Sequence, residues 1–140
     1  MSAQSELMEA VRKYVSSAGV PLTEFNEYFT ARMIEAMMVS YHKYGGVADA
    51  YPRKFNALSD IRARLNKYRE TGNKHYLVDA ANFCMIEAMH PAREDAVWGG
   101  NSAADSPGRT SVDDRKLIQE DNAGNRIIGE TILHLPDEPD

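Results

Sequence analysis

Apolar positions recur every three to four residues over the first two-thirds of the chain, the mark of helices that bury one stripe. From Ser5 to about Ser17, Leu7, Met8, Val11, Tyr14 and Val15 hold that spacing, and Ala18-Gly19-Val20-Pro21 breaks it. Thr23 reads as the N-cap of a long second helix reaching about Lys43, with Glu24 in its first turn suiting the helix dipole. Phe25, Phe29, Met33, Ala36, Met37 and Ser40 trace its inner face, and Tyr44-Gly45-Gly46 ends it. A connector, Val47 to Pro52, leads to a third helix from about Lys54 to Glu70, striped by Leu58, Ile61, Leu65 and Tyr68. Thr71-Gly72-Asn73 is a short turn and predicts an antiparallel pair with a fourth helix, which His90-Pro91 closes.

The fourth helix departs from this pattern. Between Leu77 and His90 it is apolar almost all round, and His75, Asp79, Asn82 and His90 form one narrow polar stripe. Such a helix is expected to pack on nearly every side, with Cys84 as a small core residue. A carboxylate placed there needs a cation, a metal or strong hydrogen-bond donors. Asp79 and Asn82 are therefore the first candidates for a site.

Beyond Pro91 the chain turns to small and turn-forming residues, from Trp98-Gly99-Gly100 to Ser106-Pro107-Gly108. Lys116 to Glu120 and Arg126 to Leu135 read as two short strands around Asp121–Asn125, a weak hairpin signal. The expected architecture is mainly α: a four-helix bundle over residues 1–91 and a loop-rich extension over 92–140. That extension is an irregular tail or a β-hairpin packed on the bundle or on a neighbouring subunit, because an isolated hairpin is marginal in water.

Composition narrows the classes. At 140 residues, 43% hydrophobic and 26% charged, the chain suits one compact domain. Its net charge of −5 argues against a nucleic-acid polymer as partner. No apolar run approaches the ~20 residues that span a bilayer. The first residues lack a basic and then apolar leader, so the expectation is a cytoplasmic protein. Cys84 is the single cysteine, which removes internal disulfides and cysteine zinc sites. Seven Met and exposed-looking aromatics predict a homodimer or homotetramer.

Two constellations carry candidate chemistry. On the second helix Glu24, Glu27, Glu35 and His42 share a ridge, and carboxylates at i, i+3 or i+4 can meet Mg²⁺ when a second helix adds a ligand such as Asp79. An ordinary solvated face explains the same glutamates. The segment from Arg53 to Lys74 sets seven Lys and Arg residues against only Asp60 and Glu70. There Arg62, Arg64, Lys67 and Arg69 can clamp a phosphate by charge-assisted hydrogen bonds, although amphipathic helices also wear charge outside. Tyr44, Tyr51 or Trp98 can stack on a base. One echo stands apart: Met33-Ile34-Glu35-Ala36-Met37 recurs as Met85-Ile86-Glu87-Ala88-Met89. It is a coincidence between Met/Ala-rich helices or the trace of a duplicated helix hairpin with two related acidic faces. No Walker-type loop, GxGxxG or Ser-His-Asp spacing is present.

His42-Lys43-Tyr44-Gly45-Gly46, the basic helix and Val78-Asp79-Ala80-Ala81-Asn82-Phe83 together resemble the MazG-like all-α nucleotide pyrophosphohydrolases, in the short versions of phages and actinobacteria. The resemblance covers roughly residues 25 to 90, and Asp105-Ser106-Pro107-Gly108 is similar to a tail of small phage proteins of this kind. It implies a helical bundle in which two acidic pairs hold Mg²⁺, which activates water to release pyrophosphate from a nucleoside triphosphate. Asp79 matches the last ligand and Asn82 the Asn that follows. Tyr76, Ile61 and Arg64 stand where the other carboxylates belong. Either Glu24, Glu27 or Glu35 replaces them, or the chain binds phosphate through basic residues without hydrolysis. The expected function is thus nucleotide binding with weak or absent pyrophosphohydrolysis. The alternatives are a phage protein that sequesters a host signalling nucleotide, and a plain structural or interaction module.

Overall fold

In a computed structural model the protein is described over residues 2–100, 104 and 106–112. The described chain is mainly helical: α1 (Ala3–Ser17), α2 (Glu27–Tyr44), a one-turn α3 (Val47–Ala50), α4 (Ala57–Thr71) and α5 (His75–Met89). No strand occurs among the described residues. The expected strands over 116–120 and 126–135 lie outside them.

Local chemistry sets each boundary. Ser2 caps α1, its side chain accepting from Ser5 N. The start of α2 corrects the sequence reading. Thr23 lies in a 3-10 turn, Leu22–Glu24, and the cap is Asn26, whose Oδ1 accepts from Phe29 N at 2.8 Å. The amide side chain of Asn26 reaches the first free N–H groups of the helix, while the Thr23 hydroxyl turns to Glu24. Gly45, at φ +90°, ends α2 with its N–H on Tyr41 O. The connector is not irregular throughout: it forms α3, and a cis Tyr51–Pro52 bond follows. Asn56 caps α4, accepting from Leu58 N and Ser59 N, so the helix begins three residues later than Lys54. Gly72 adopts the left-handed conformation that closes α4, and three residues suffice to reverse the chain into α5.

That tight turn lays α5 antiparallel on α4, the most extensive packing among the described helices, while α2 rests on α5 and α1 on α2. Asn82 pins the second contact. Its Nδ2 donates to Met33 O of α2 at 3.0 Å, and its buried Oδ1 has no partner. The buried apolar residues are small: Val15, Ala31, Ala57, Val78 and Ala80, with Ile86 the largest. Small buried side chains of this kind let packed helix axes approach closely.

The fourth long helix is therefore not packed all round. Val78, Ala80, Asn82 and Ile86 are buried, whereas Cys84, Met85, Ala88 and Met89 are exposed. Cys84 is not a core residue; partial burial of its thiol nevertheless pushes its pKa up. The apolar side of α5 exceeds what α4 and α2 can cover.

Candidate functional site

A cleft of about 690 Å³ opens where α2, α3 and the start of α4 meet α5. One wall is aromatic. The rings of Tyr51 and Phe83 lie 6.3 Å apart, and Phe55 stands 5.9 Å from Tyr51. The Arg64 guanidinium sits over Phe83, 5.0 Å from the ring centre, which orients its fork toward the cleft. Burial pushes the Tyr51 phenol up to about 12, and its hydrogen bond to Asp60 Oδ2, at 3.1 Å, adds to the effect.

The polar floor is a chain of four side chains from three helices. Arg32 of α2 brings Nη2 to 3.2 Å from His75 Nδ1. A guanidinium only donates, so Nδ1 accepts and the ring hydrogen sits on Nε2. That Nε2 lies 3.4 Å from Asp79 Oδ1, and Arg64 Nε lies 3.9 Å from Asp79 Oδ2. Arg64 thus approaches the carboxylate directly, and Arg32 is linked to it through the His75 ring. Lys43 adds a third cation at the rim, over the ring of Tyr44. All these side chains remain partly exposed, so an anionic ligand reaches them without burying a bare charge.

Of the residues singled out in the sequence, Arg64, Asp79, Tyr51, Tyr44 and Glu35 line this cleft. Arg62, Lys67 and Arg69 do not. Lys67 pairs with Glu70 at 3.7 Å, and Arg69 donates to Asn66 Oδ1 at 3.3 Å. The phosphate clamp expected along α4 thus reduces to Arg64, because successive basic residues of a helix point in different directions. Asn82 is turned away to Met33 O, and Trp98 is 90% exposed beside neither hollow.

The expected metal set Glu27, Glu35 and Asp79 does not assemble. Glu27 is held by Arg12 at 3.2 Å, Glu35 accepts from Gln4 Nε2 at 2.8 Å, and Asp79 faces His75 and Arg64. Among the described residues no three His, Cys, Asp or Glu side chains come together in the way a metal ion requires. Glu24 lies outside α2 altogether, and His42 turns to the opposite side of the helix, where it lines a second hollow. The donors present do not fit a Mg²⁺ ion held by protein carboxylates.

Sequence reasoning missed Arg32, Lys43 and the linking role of His75. His75 was visible as part of the polar stripe on α5. Arg32 carried no such signal, since its place depends on how α2 is rotated against α5. Comparison with known protein families, curated proteins and solved structures finds no match for this chain. Among the described residues no helix is long and apolar enough to cross a membrane.

Proposed function

We propose that the cleft binds a nucleotide, or another small molecule joining an aromatic ring to a phosphate, and that the chain is a MazG-like protein that binds without efficient hydrolysis. The observation that carries this reading is the convergence of Arg32 and Arg64, from different helices, beside the Tyr51–Phe83 wall. A phosphate competes with the loose Asp79 contact for Arg64, and a flat base finds the rings beside it. Asp79 acts as a positioning residue: it holds His75 and steadies Arg64.

The dispersal of Glu27, Glu35 and Asp79 favours binding over pyrophosphohydrolysis, which needs clustered carboxylates around Mg²⁺ to activate water. Titration calorimetry against nucleoside mono-, di- and triphosphates, with and without EDTA, tests the reading. The expected result is binding that persists in EDTA and weakens in Arg64→Gln. Loss of a charge-assisted hydrogen bond of about 1.5–3 kcal/mol corresponds to roughly 10–150-fold in affinity. Rapid Mg²⁺-dependent release of pyrophosphate from a common nucleotide overturns the non-hydrolytic part. Absence of nucleotide binding at millimolar concentration overturns the whole.

A further inference from the structure

On the opposite side of α2 lies a second hollow of about 700 Å³, a groove between α2 and α5. Its chemistry is unlike that of the cleft. Met33, Ile34, Met37 and Met38 form one wall, and Met85, Ile86 and Met89 the other. His42 is the one titratable side chain along it besides the Tyr41 phenol, although 26% of the whole chain is charged. The two walls come from the recurring pentapeptide Met-Ile-Glu-Ala-Met, which begins at Met33 and again at Met85. The glutamate of each copy turns elsewhere, Glu35 to Gln4 and Glu87 to Ala92 N. The echo therefore builds one apolar groove with matching sides rather than two acidic faces.

We infer that this groove is the seat of a second copy of the same chain, docked about a twofold axis. The area supports it. Ile34, Met38, Tyr41, Met85 and Met89 are 45%, 56%, 60%, 38% and 54% exposed. Taking roughly 200 Å² for each side chain when fully exposed, the five leave about 500 Å² of apolar surface bare, a size that marks interaction sites. With the half-buried Thr30, Met33 and Met37 between them, the face approaches the ~800 Å² that each partner gives to a stable interface.

The chemistry selects the occupant. An interface about a twofold axis sets one surface against itself, so a like-charged face repels its copy and an uncharged one does not. This groove carries no carboxylate, lysine or arginine with which to recognise a charged peptide or a lipid headgroup. Methionine thioethers adapt to one another's shape, and matched Met-lined walls give each copy the same knobs and holes. The prominent Met38 and Tyr41 of one copy fill the groove of the other. The inference stands independently of the nucleotide reading, because Met38, Met85 and Met89 do not line the cleft.

Sedimentation equilibrium of the full chain at micromolar concentration tests it, alongside Met38→Glu, Met89→Glu and the conservative Met38→Leu. The expected mass is twice the 15.7 kDa of one chain for the wild type and for Met38→Leu. It falls to a single chain for either Glu variant, with the helical circular-dichroism signal unchanged, because docking then buries a carboxylate in an apolar groove that offers it no cation. A monomeric wild type overturns the proposal. So does a dimer that survives both Glu variants, which places the contact on another face, and so does a monomer that binds neutral phosphatidylcholine vesicles through this groove. Should a Glu variant lose its helical signal, photo-crosslinking from a benzoylphenylalanine at position 38 decides. Crosslinks to Met85 or Met89 of a second chain support the contact, and crosslinks elsewhere or none overturn it.

Discussion

Tyr51 shows how one side chain ties the fold to the cleft. Its ring completes the aromatic wall, its hydroxyl donates to Asp60 on α4, and burial with that carboxylate raises its pKa to about 12. A folded-state pKa above the unfolded value of about 10 has a definite sign. The contribution is fully present below pH 10 and is lost as pH rises from about 10 to about 12, because the unfolded chain releases the proton first. In an ultraviolet titration of phenolate absorbance, a step near pH 12 should appear, and Tyr51→Phe should remove it. Absence of that step contradicts the burial of Tyr51 beside Asp60. His75 behaves differently. Held between a donor on Nδ1 and an acceptor beyond Nε2, it is fixed in one tautomer by its neighbours. Asp79 was legible as a carboxylate that needed partners; which partners it would find was not.

The helices themselves were readable from the sequence, because a 3.6-residue apolar period and glycine stops are local properties. Gly45 and Gly72 end α2 and α4 where the sequence placed them. The start of α2 was harder, since Thr23 and Asn26 are both able caps and the choice rests on the loop that feeds them. Asn26→Ala should lower stability by about 1 kcal/mol in urea denaturation, whereas Thr23→Ala should change it by less than about 0.5 kcal/mol. Equal losses would return the cap to Thr23. What the period cannot give is the rotation of a helix about its axis. The sequence turned Glu27 and Glu35 toward Asp79; the structure pairs Glu27 with Arg12 and Glu35 with Gln4, and brings Arg32 to His75 instead. The small buried residues Ala31 and Ala80 set how closely helices approach, and their size leaves hardly any trace in a hydrophobic profile. The same limit explains why the apolar α5 looked buried all round: it counts apolar residues without showing how many neighbours exist to cover them.

At the scale of the molecule, α2 separates two hollows of nearly equal volume and opposite chemistry, one charged and aromatic, the other lined with methionine. Ser40, Gly45, Gly46, Val47 and Ile86 border both. The interior between them is made chiefly of alanine and valine, and among the described residues no large side chain is completely enclosed. Heat capacity follows from that. The increment on unfolding scales with the apolar surface newly wetted, at about 12–15 cal/mol/K per residue for ordinary domains. A lone chain of this kind keeps much of its methionine and tyrosine wet before it melts. In scanning calorimetry the monomeric Met38→Glu variant should fall below that range, giving a shallow stability curve that changes little between refrigerator and body temperature. On the inferred dimer, the wild type also wets an intersubunit face as it melts and should give a steeper curve and a midpoint that climbs with protein concentration.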